Sequence, residues 1–285
     1  MYVVTGVTGQ VGSIVAQALL KAGKPVRAVI RGAAKRAAFE QQGCEVVIAD
    51  MRNVAALTHA FAGAEAVFVL LPPSFDPDPG FSASTSIIHN LRVALEAAAP
   101  RRVVCLSTVG AQATRQNLLS QLGKMESLLG QLPMPVAFLR AAWFMENSAW
   151  DVITARDENV LHSFLQPIDK AMPMVATIDV GHTAAQMLQA SWQGVRFVEL
   201  EGPRHVSPLE LAGILGRLLK CDVEARAVPR DTWEEVFLAQ GMNNPLPRMQ
   251  MLDGFNEGWI TFAGSPVQGP TGVEEVLAGL VKRLA

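Results

Sequence analysis

Over residues 1–140, short apolar runs rich in β-branched residues alternate with stretches of helical period. The runs Tyr2–Thr5, Val26–Ile30, Glu45–Ala49, Ala66–Leu71, Val103–Leu106 and Val136–Leu139 predict strands buried on both faces, as in a parallel sheet. Between them, Val11–Lys21 places Val11, Ile14, Val15, Ala18 and Leu19 on one helical face and stops at Gly23. Thr85–Ala99 and Asn117–Leu132 predict two more helices. Strictly alternating strand and helix is the pattern of an α/β fold with a doubly wound parallel sheet.

Past Trp143 the rhythm changes. Residues 151–173 lack a clear period and predict an irregular lobe over the sheet, whereas Asp179–Ala190 reads as a helix and Arg196–Leu200 as a strand returning to the sheet edge. The remainder is mostly helical. Ser207-Pro208-Leu209-Glu210 offers a Ser N-cap, Pro at the first helical position and Glu at the capping-box position, and Asp231/Glu234 and Thr271/Glu274 repeat the spacing. The division expected is therefore residues 1–150 as a nucleotide-binding domain to which 175–202 return, with 151–174 and 203–285 forming a smaller, mostly helical substrate lobe. The Pro-dense stretch Pro72–Gly80 reads as an ordered-to-mobile loop.

The first loop carries the chemistry. Gly6-Val7-Thr8-Gly9-Gln10-Val11-Gly12 follows the first strand and opens the first helix, with its glycines spaced by three. A tight turn, a backbone able to approach a pyrophosphate and close helix–strand packing all call for glycine there, so Gly6, Thr8, Gly9, Gln10, Val11 and Gly12 predict a dinucleotide cradle of Rossmann type. The second strand ends in Arg31, with Lys35 four residues on and no carboxylate at the place that would hold a free ribose 2′-hydroxyl. Two cations there favour a 2′-phosphate, hence NADP(H) over NAD(H). Asp50 and Met51 follow the third strand, where they either meet the adenine or, for Asp50, cap the next helix. Leu71 and Pro72 end the fourth strand beside the crevice and should line the groove.

Composition narrows the partners. The net charge of −2 with no basic block argues against nucleic acid, and 50% apolar with 18% charged residues suits a globular protein. Cys44, Cys105 and Cys221 are scattered without metal-ligand spacing and read as reduced thiols, so no metal site is expected. Neither a signal peptide nor a membrane span is legible, which makes the expected location cytoplasmic. A homodimer is left open.

With these residues in hand, the chain resembles the NmrA-like group of atypical short-chain dehydrogenase/reductases, which includes NADPH-dependent quinone reductases, triphenylmethane reductases and redox-sensing regulators. The resemblance rests on Gly6–Gly12, Arg31/Lys35, Ser107-Thr108-Val109-Gly110-Ala111, Lys124-Met125-Glu126, the run from Leu139 to Asn147 and the Leu200–Pro203 turn. It implies that Lys124 holds the nicotinamide ribose hydroxyls, which makes it the candidate catalytic residue. It also implies that Ser107 and Thr108 border the nicotinamide and that Phe144 and Asn147 bound the substrate pocket. Phe75, Phe81, Trp143, Phe144 and Trp150 supply aromatic surface for that pocket, although Trp143, Phe144 and Trp150 fit an interdomain core equally well.

One departure shapes the chemistry. The wider superfamily sets Tyr-x-x-x-Lys on one helix face, yet Ser120 stands four residues before Lys124 and the chain's single tyrosine is Tyr2. Without that proton donor, a quinone or similar conjugated acceptor suits the site better than an isolated ketone. An NADPH-dependent reductase of such acceptors leads. A non-catalytic NADP(H)-binding sensor acting through a protein partner comes second. A nucleotide-sugar epimerase or dehydratase comes third, since the missing tyrosine argues against it.

Overall fold

The computed structural model describes residues 1–284. Its strands are β1 (Tyr2–Val4), β2 (Val26–Ile30), β3 (Glu45–Ile48), β4 (Ala66–Val69), β5 (Val103–Thr108), β6 (Val136–Ala141), β7 (Trp143–Phe144), β8 (Val160–Ser163), β9 (Met172–Val175), β10 (Val195–Glu201), β11 (His205–Val206), β12 (Glu224–Ala227) and β13 (Val267–Gln268). The helices are α1 (Gln10–Lys21), α2 (Arg36–Gln41), α3 (Val54–Phe61), α4 (Ser82–Ala98), α5 (Ser120–Leu129), α6 (Ala149–Glu158), α7 (Thr177–Gln189), α8 (Pro208–Leu219), α9 (Trp233–Ala239), α10 (Leu246–Glu257) and α11 (Val273–Leu284).

Eight strands form one sheet in the order β13-β10-β6-β5-β4-β1-β2-β3, and each neighbouring pair is parallel. The order reverses between β1 and β4, which opens the crevice where doubly wound sheets take nucleotides. Strands packed on both faces need apolar side chains on both, and β4 and β6 are buried at every position. One face meets α1 and α7 through Val11, Val15, Leu19, Val180 and Leu188. The other meets α3, α4 and α5 through Leu57, Phe61, Leu91, Leu95 and Met125. A third apolar cluster, around Trp233, Phe237, Leu252 and Leu277, joins α6 and α8–α11 into a lobe beside the carboxyl ends of the strands.

The α/β reading and the doubly wound parallel sheet hold. Residues 151–173 do not: they contain most of α6, then β8 and the start of β9, rather than irregular chain. Helix α6 has no legible period because only Val152 and Ala155 are buried along it, among Asp151, Thr154, Arg156, Asp157 and Glu158. Its support is tertiary, from packing on α11 and α8 and from the Arg156 guanidinium donating to the Leu284 carbonyl. The returning strand β10 is also not the edge, because β13 pairs outside it at Leu200 and Glu201.

The Ser207 capping box forms as expected, with Ser207 Oγ accepting the Glu210 N–H at 3.2 Å and the Glu210 carboxylate accepting the Ser207 N–H at 2.8 Å. Its two echoes do not. Helix α9 starts two residues past Asp231, and the Thr271 hydroxyl donates instead to buried Asp179 at 2.8 Å. Among the described residues no helix is long and apolar enough to cross a membrane.

Asp151, in the first turn of α6, gives the lobe a pH dependence. Burial pushes its carboxyl up to about 6, against a smaller opposing effect of the Ser148 side chain. An acid with a raised folded pKa favours the fold while protonated, and that advantage disappears as pH rises from the unfolded value through the folded one. Stability should therefore fall between about pH 4 and 6 through this group. Asp151→Asn is expected to flatten that slope and to be the more stable protein at pH 8, measured by denaturant unfolding at both ends of the range.

Candidate cofactor groove and acceptor cleft

The groove begins where β1 and β4 part. The buried Thr5 hydroxyl donates to the Phe68 carbonyl at 3.1 Å and accepts the Leu70 N–H at 3.0 Å, stitching the two strands together at the crevice. Gly6 then turns the chain at φ +65°, and the Gly9 N–H donates to its carbonyl at 2.9 Å. A Cβ on Gly12 would collide with the Gly6 carbonyl, whereas one on Gly9 would meet only the Gly6 oxygen at 3.4 Å and otherwise open space. Gly12 therefore lets α1 close on the strand, and Gly9 leaves the room a phosphate needs. No side chain caps α1 and no acidic residue stands in its first turn. The N–H groups of Gln10, Val11 and Gly12 lack intrahelical acceptors, as in any first turn, and Thr8, Gly9 and Gln10 are exposed. The residues present fit a dinucleotide pyrophosphate.

Arg31 follows β2, and Lys35 lies a few residues on in a short 3-10 turn. Both are exposed, and neither forms an ion pair among the described residues. Asp50 is held well below the usual carboxylate range by hydrogen bonds from Arg52, with the charge of Arg31 adding a smaller effect. The Arg52 guanidinium meets Asp50 at 2.8 and 3.0 Å. The alternative in which Asp50 caps α3 is excluded, because Asn53 does so through the Ala56 N–H at 3.0 Å. Met51 is half-buried beside it, Leu71 is buried and Pro72 half-buried at the end of β4.

At the far end of the groove the structure separates residues that sequence grouped together. Ser107 is buried, and its hydroxyl donates to Glu126 Oε1 at 2.6 Å. Thr108 stays half-exposed, and its hydroxyl donates to the Val109 carbonyl at 3.2 Å. Behind Ser107 lies a buried ionic cluster absent from the expected site. Arg140 on β6 meets Glu126 of α5 at 2.7 and 2.9 Å and Glu199 of β10 at 3.3 Å, with Phe197 beneath its guanidinium. Glu199 in turn accepts the N–H groups of Ala263 and Gly264 at 2.9 and 2.7 Å. Burial works against the Arg140 charge, but the hydrogen bonds and charges of both carboxylates outweigh it and raise its pKa.

Lys124 is not an idle surface lysine. Its Nζ donates to the Gly80 carbonyl at 2.8 Å and lies 5.3 Å from the centroid of the Phe81 ring. Phe81 is buried beneath it, so it does not belong to the cleft mouth. The Pro-dense stretch is a strap. Asp76 accepts the N–H groups of Asn243 and Asn244 at 3.0 and 2.7 Å, Asn244 donates to the Pro77 carbonyl at 2.8 Å, and Gln121 donates to the Ser74 carbonyl at 3.3 Å. The strap carries Phe75, which is 63% exposed. Trp143 packs edge-on to Phe255 of α10 at 5.4 Å, and half-buried Phe144 joins the sheet's core. Asn147 is exposed. Trp150, on the first turn of α6, is 78% exposed.

Removing one partner of a buried ion pair leaves the other charge stranded, at a cost of about 3–5 kcal/mol. Arg140→Ala should lose stability in that range, read by chemical denaturation, and should lower the melting temperature more than Lys124→Ala.

The geometry agrees with the comparisons. Residues 6–191 match the family model described as NAD(P)H-binding. The chain is similar to an NAD(P)H azoreductase from Xenophilus azovorans, 24% identical over 259 residues that cover 90% of this chain and 85% of that protein. Among solved structures, an NADPH-dependent quinone oxidoreductase from Escherichia coli complexed with NADPH shares the fold with a TM-score of 0.84, at 22% identity over 98% of this chain and 99% of that one. Triphenylmethane reductase from Citrobacter sp. matches with a TM-score of 0.81, at 20% identity and 99% of both chains. The likeness to these solved structures thus extends over the whole fold. This chain belongs to the NAD(P)H-binding family.

Proposed function

We propose that the protein is an NADPH-dependent oxidoreductase that reduces a quinone or a similar conjugated acceptor, held between the carboxyl edge of the sheet and the helical lobe. The observation that carries this reading lies one helical turn before Lys124. Ser120 stands there, and its Oγ accepts the Asn117 N–H at 3.0 Å. A serine hydroxyl is no acid at neutral pH, and the chain's one tyrosine is buried in β1.

NADPH, when bound, supplies a hydride. Reducing an isolated ketone then creates an alkoxide whose parent acid is about as weak as water, with a pKa of about 15.7, so a positioned acid matters. A quinone yields a phenolate with a parent pKa of about 10, which solvent can protonate. The relatives named for azo, quinone and triphenylmethane acceptors support this choice, since their names describe conjugated systems.

The chain's own residues supply binding and orientation. Gly9 and the first turn of α1 would hold the pyrophosphate, and Arg31 with Lys35 would hold a 2′-phosphate. Met51, Leu71 and Pro72 would line the groove, with Asp50 positioned by Arg52 near the adenine. Thr108, Phe144 and Lys124 would border the nicotinamide end, with Lys124 exchanging the Gly80 carbonyl for the ribose. Trp143 and Asn147 would bound the acceptor, with Phe75 above it on the strap. We place the protein in the cytoplasm, where its three free cysteines stay reduced.

Two measurements test this. NADPH should bind at least about tenfold more tightly than NADH, and Arg31→Ala should erase most of that difference, because a charge-assisted contact contributes about 1.5–3 kcal/mol. Equal affinities in the wild type would remove Arg31 and Lys35 from the site. Oxidation of NADPH followed at 340 nm should be measurable with a para-quinone and negligible with an unconjugated ketone. Efficient ketone turnover would mean that another group donates the proton. Tight NADPH binding with no turnover of any quinone would favour the redox-sensor reading.

A further inference from the structure

Arginines drawn inside this fold are paired with carboxylates. Arg27 meets Glu45, Arg92 meets Glu96, Arg102 meets Glu65, and Arg140 meets Glu126 and Glu199. Arg248, half-buried in the first turn of α10, breaks the rule: among the described residues it forms no ion pair. Its polar contact is a weak one, to the Met242 sulfur at 3.6 Å. The guanidinium lies 4.5 Å from the centroid of the buried Phe237 ring, and Phe237 is stacked on Phe164, so the plane of the cation is held from below. Burial pulls its pKa down with no carboxylate to counter it. A desolvated cation without an anion is costly, and a fixed guanidinium plane leaves its edge donors able to grip a planar or tetrahedral anion in two-pronged fashion.

Its place in the chain suggests which anion. Asn243 and Asn244, just before α10, hold the strap through Asp76, and the Pro247 carbonyl accepts the Leu118 N–H at 2.8 Å from the loop between β5 and α5. Arg248 therefore stands where the strap and that loop both meet the lobe. The phosphate cradle at Gly9 and the cations at Arg31 and Lys35 lie elsewhere, in the turns after β1 and β2.

We infer that Arg248 is the specificity-determining residue of the acceptor site, and that it selects conjugated acceptors bearing a pendant anionic group such as a carboxylate, sulfonate or phosphate. This rests on the reductase reading given above and adds the acceptor's charge to it. The anion fills the place that a carboxylate fills beside every other inward arginine, while the apolar ring packs against the aromatic wall of the lobe.

The test uses a matched pair, 1,2-naphthoquinone and its 4-sulfonate, with the full-length protein and NADPH. The two differ in reduction potential, a difference that cancels when variants are compared with the wild type. Arg248→Met keeps a long apolar stem over Phe237 and should lower the sulfonate-to-neutral ratio of kcat/KM on the order of tenfold. Arg248→Lys, which keeps the charge but not the fork, should fall between the two. The Kd for NADPH should not change. An unchanged ratio in folded Arg248→Met would overturn the inference and leave the reductase reading standing, whereas a loss of NADPH affinity would assign Arg248 to the cofactor instead. If the wild type reduces neither quinone while binding NADPH, the reductase reading fails. Calorimetry of 1-naphthalenesulfonate with the NADP⁺-loaded protein then decides: affinity on the order of tenfold weaker in Arg248→Met supports the anion site, and equal affinity removes it.

Discussion

The buried cluster on Arg140 is the contact on which the carboxyl end of the sheet depends. One guanidinium on β6 faces carboxylates from α5 and β10, and those carboxylates also take the Ser107 hydroxyl of β5 and two backbone N–H groups from the segment before β13. Two negative charges against one positive would be unfavourable in an apolar layer, and the three added donors are what balance them. The cluster ties three adjacent strands, a helix and the last connection of the sheet together beside the groove. It also sets the rotation of α5, because burying Glu126 fixes which way Lys124, two residues earlier, emerges.

The groove is built against that wall from the glycine turn and the strap. The glycine turn and α1 are locked by the close approach of Gly12 to Gly6 and by Thr5 bridging β1 to β4. The strap is held by hydrogen bonds along its length, through Ser74 to Gln121, through Asp76 to Asn243 and Asn244, and through Gly80 to Lys124. The hydrogen bonds from Asn243 and Asn244 keep the Asp76 carboxyl below its ordinary range, so this clamp stays ionised across the pH range of cells. The fold alone would not assign an acceptor. The choice among acceptors rests on the acid that is missing at Ser120.

Much of this was legible in the residues. Six parallel strands, the glycine loop, the cations after β2 and the Ser207 capping box depend on neighbours within a few positions. For such features the chain's own period and spacing are the physics. The same holds for the missing tyrosine, because a helix face is defined by residues four apart.

What the tertiary structure decided is pairing between distant positions. Sequence places Ser107 at a strand end but cannot say that its hydroxyl turns to Glu126, nor that Asp50 is taken by Arg52 while Asn53 caps the helix. Helix α6 has too few apolar positions to announce itself, and packing against α11 decides it. Strand β13 is two residues long and exists only because β10 offers an open edge at Leu200 and Glu201. That Arg248 forms no ion pair among the described residues is visible only once every other inward arginine is seen with its carboxylate. Periodicity reports which face of an element is apolar, whereas the partner of a polar group is set by which elements the folded core brings within about 3 Å of it.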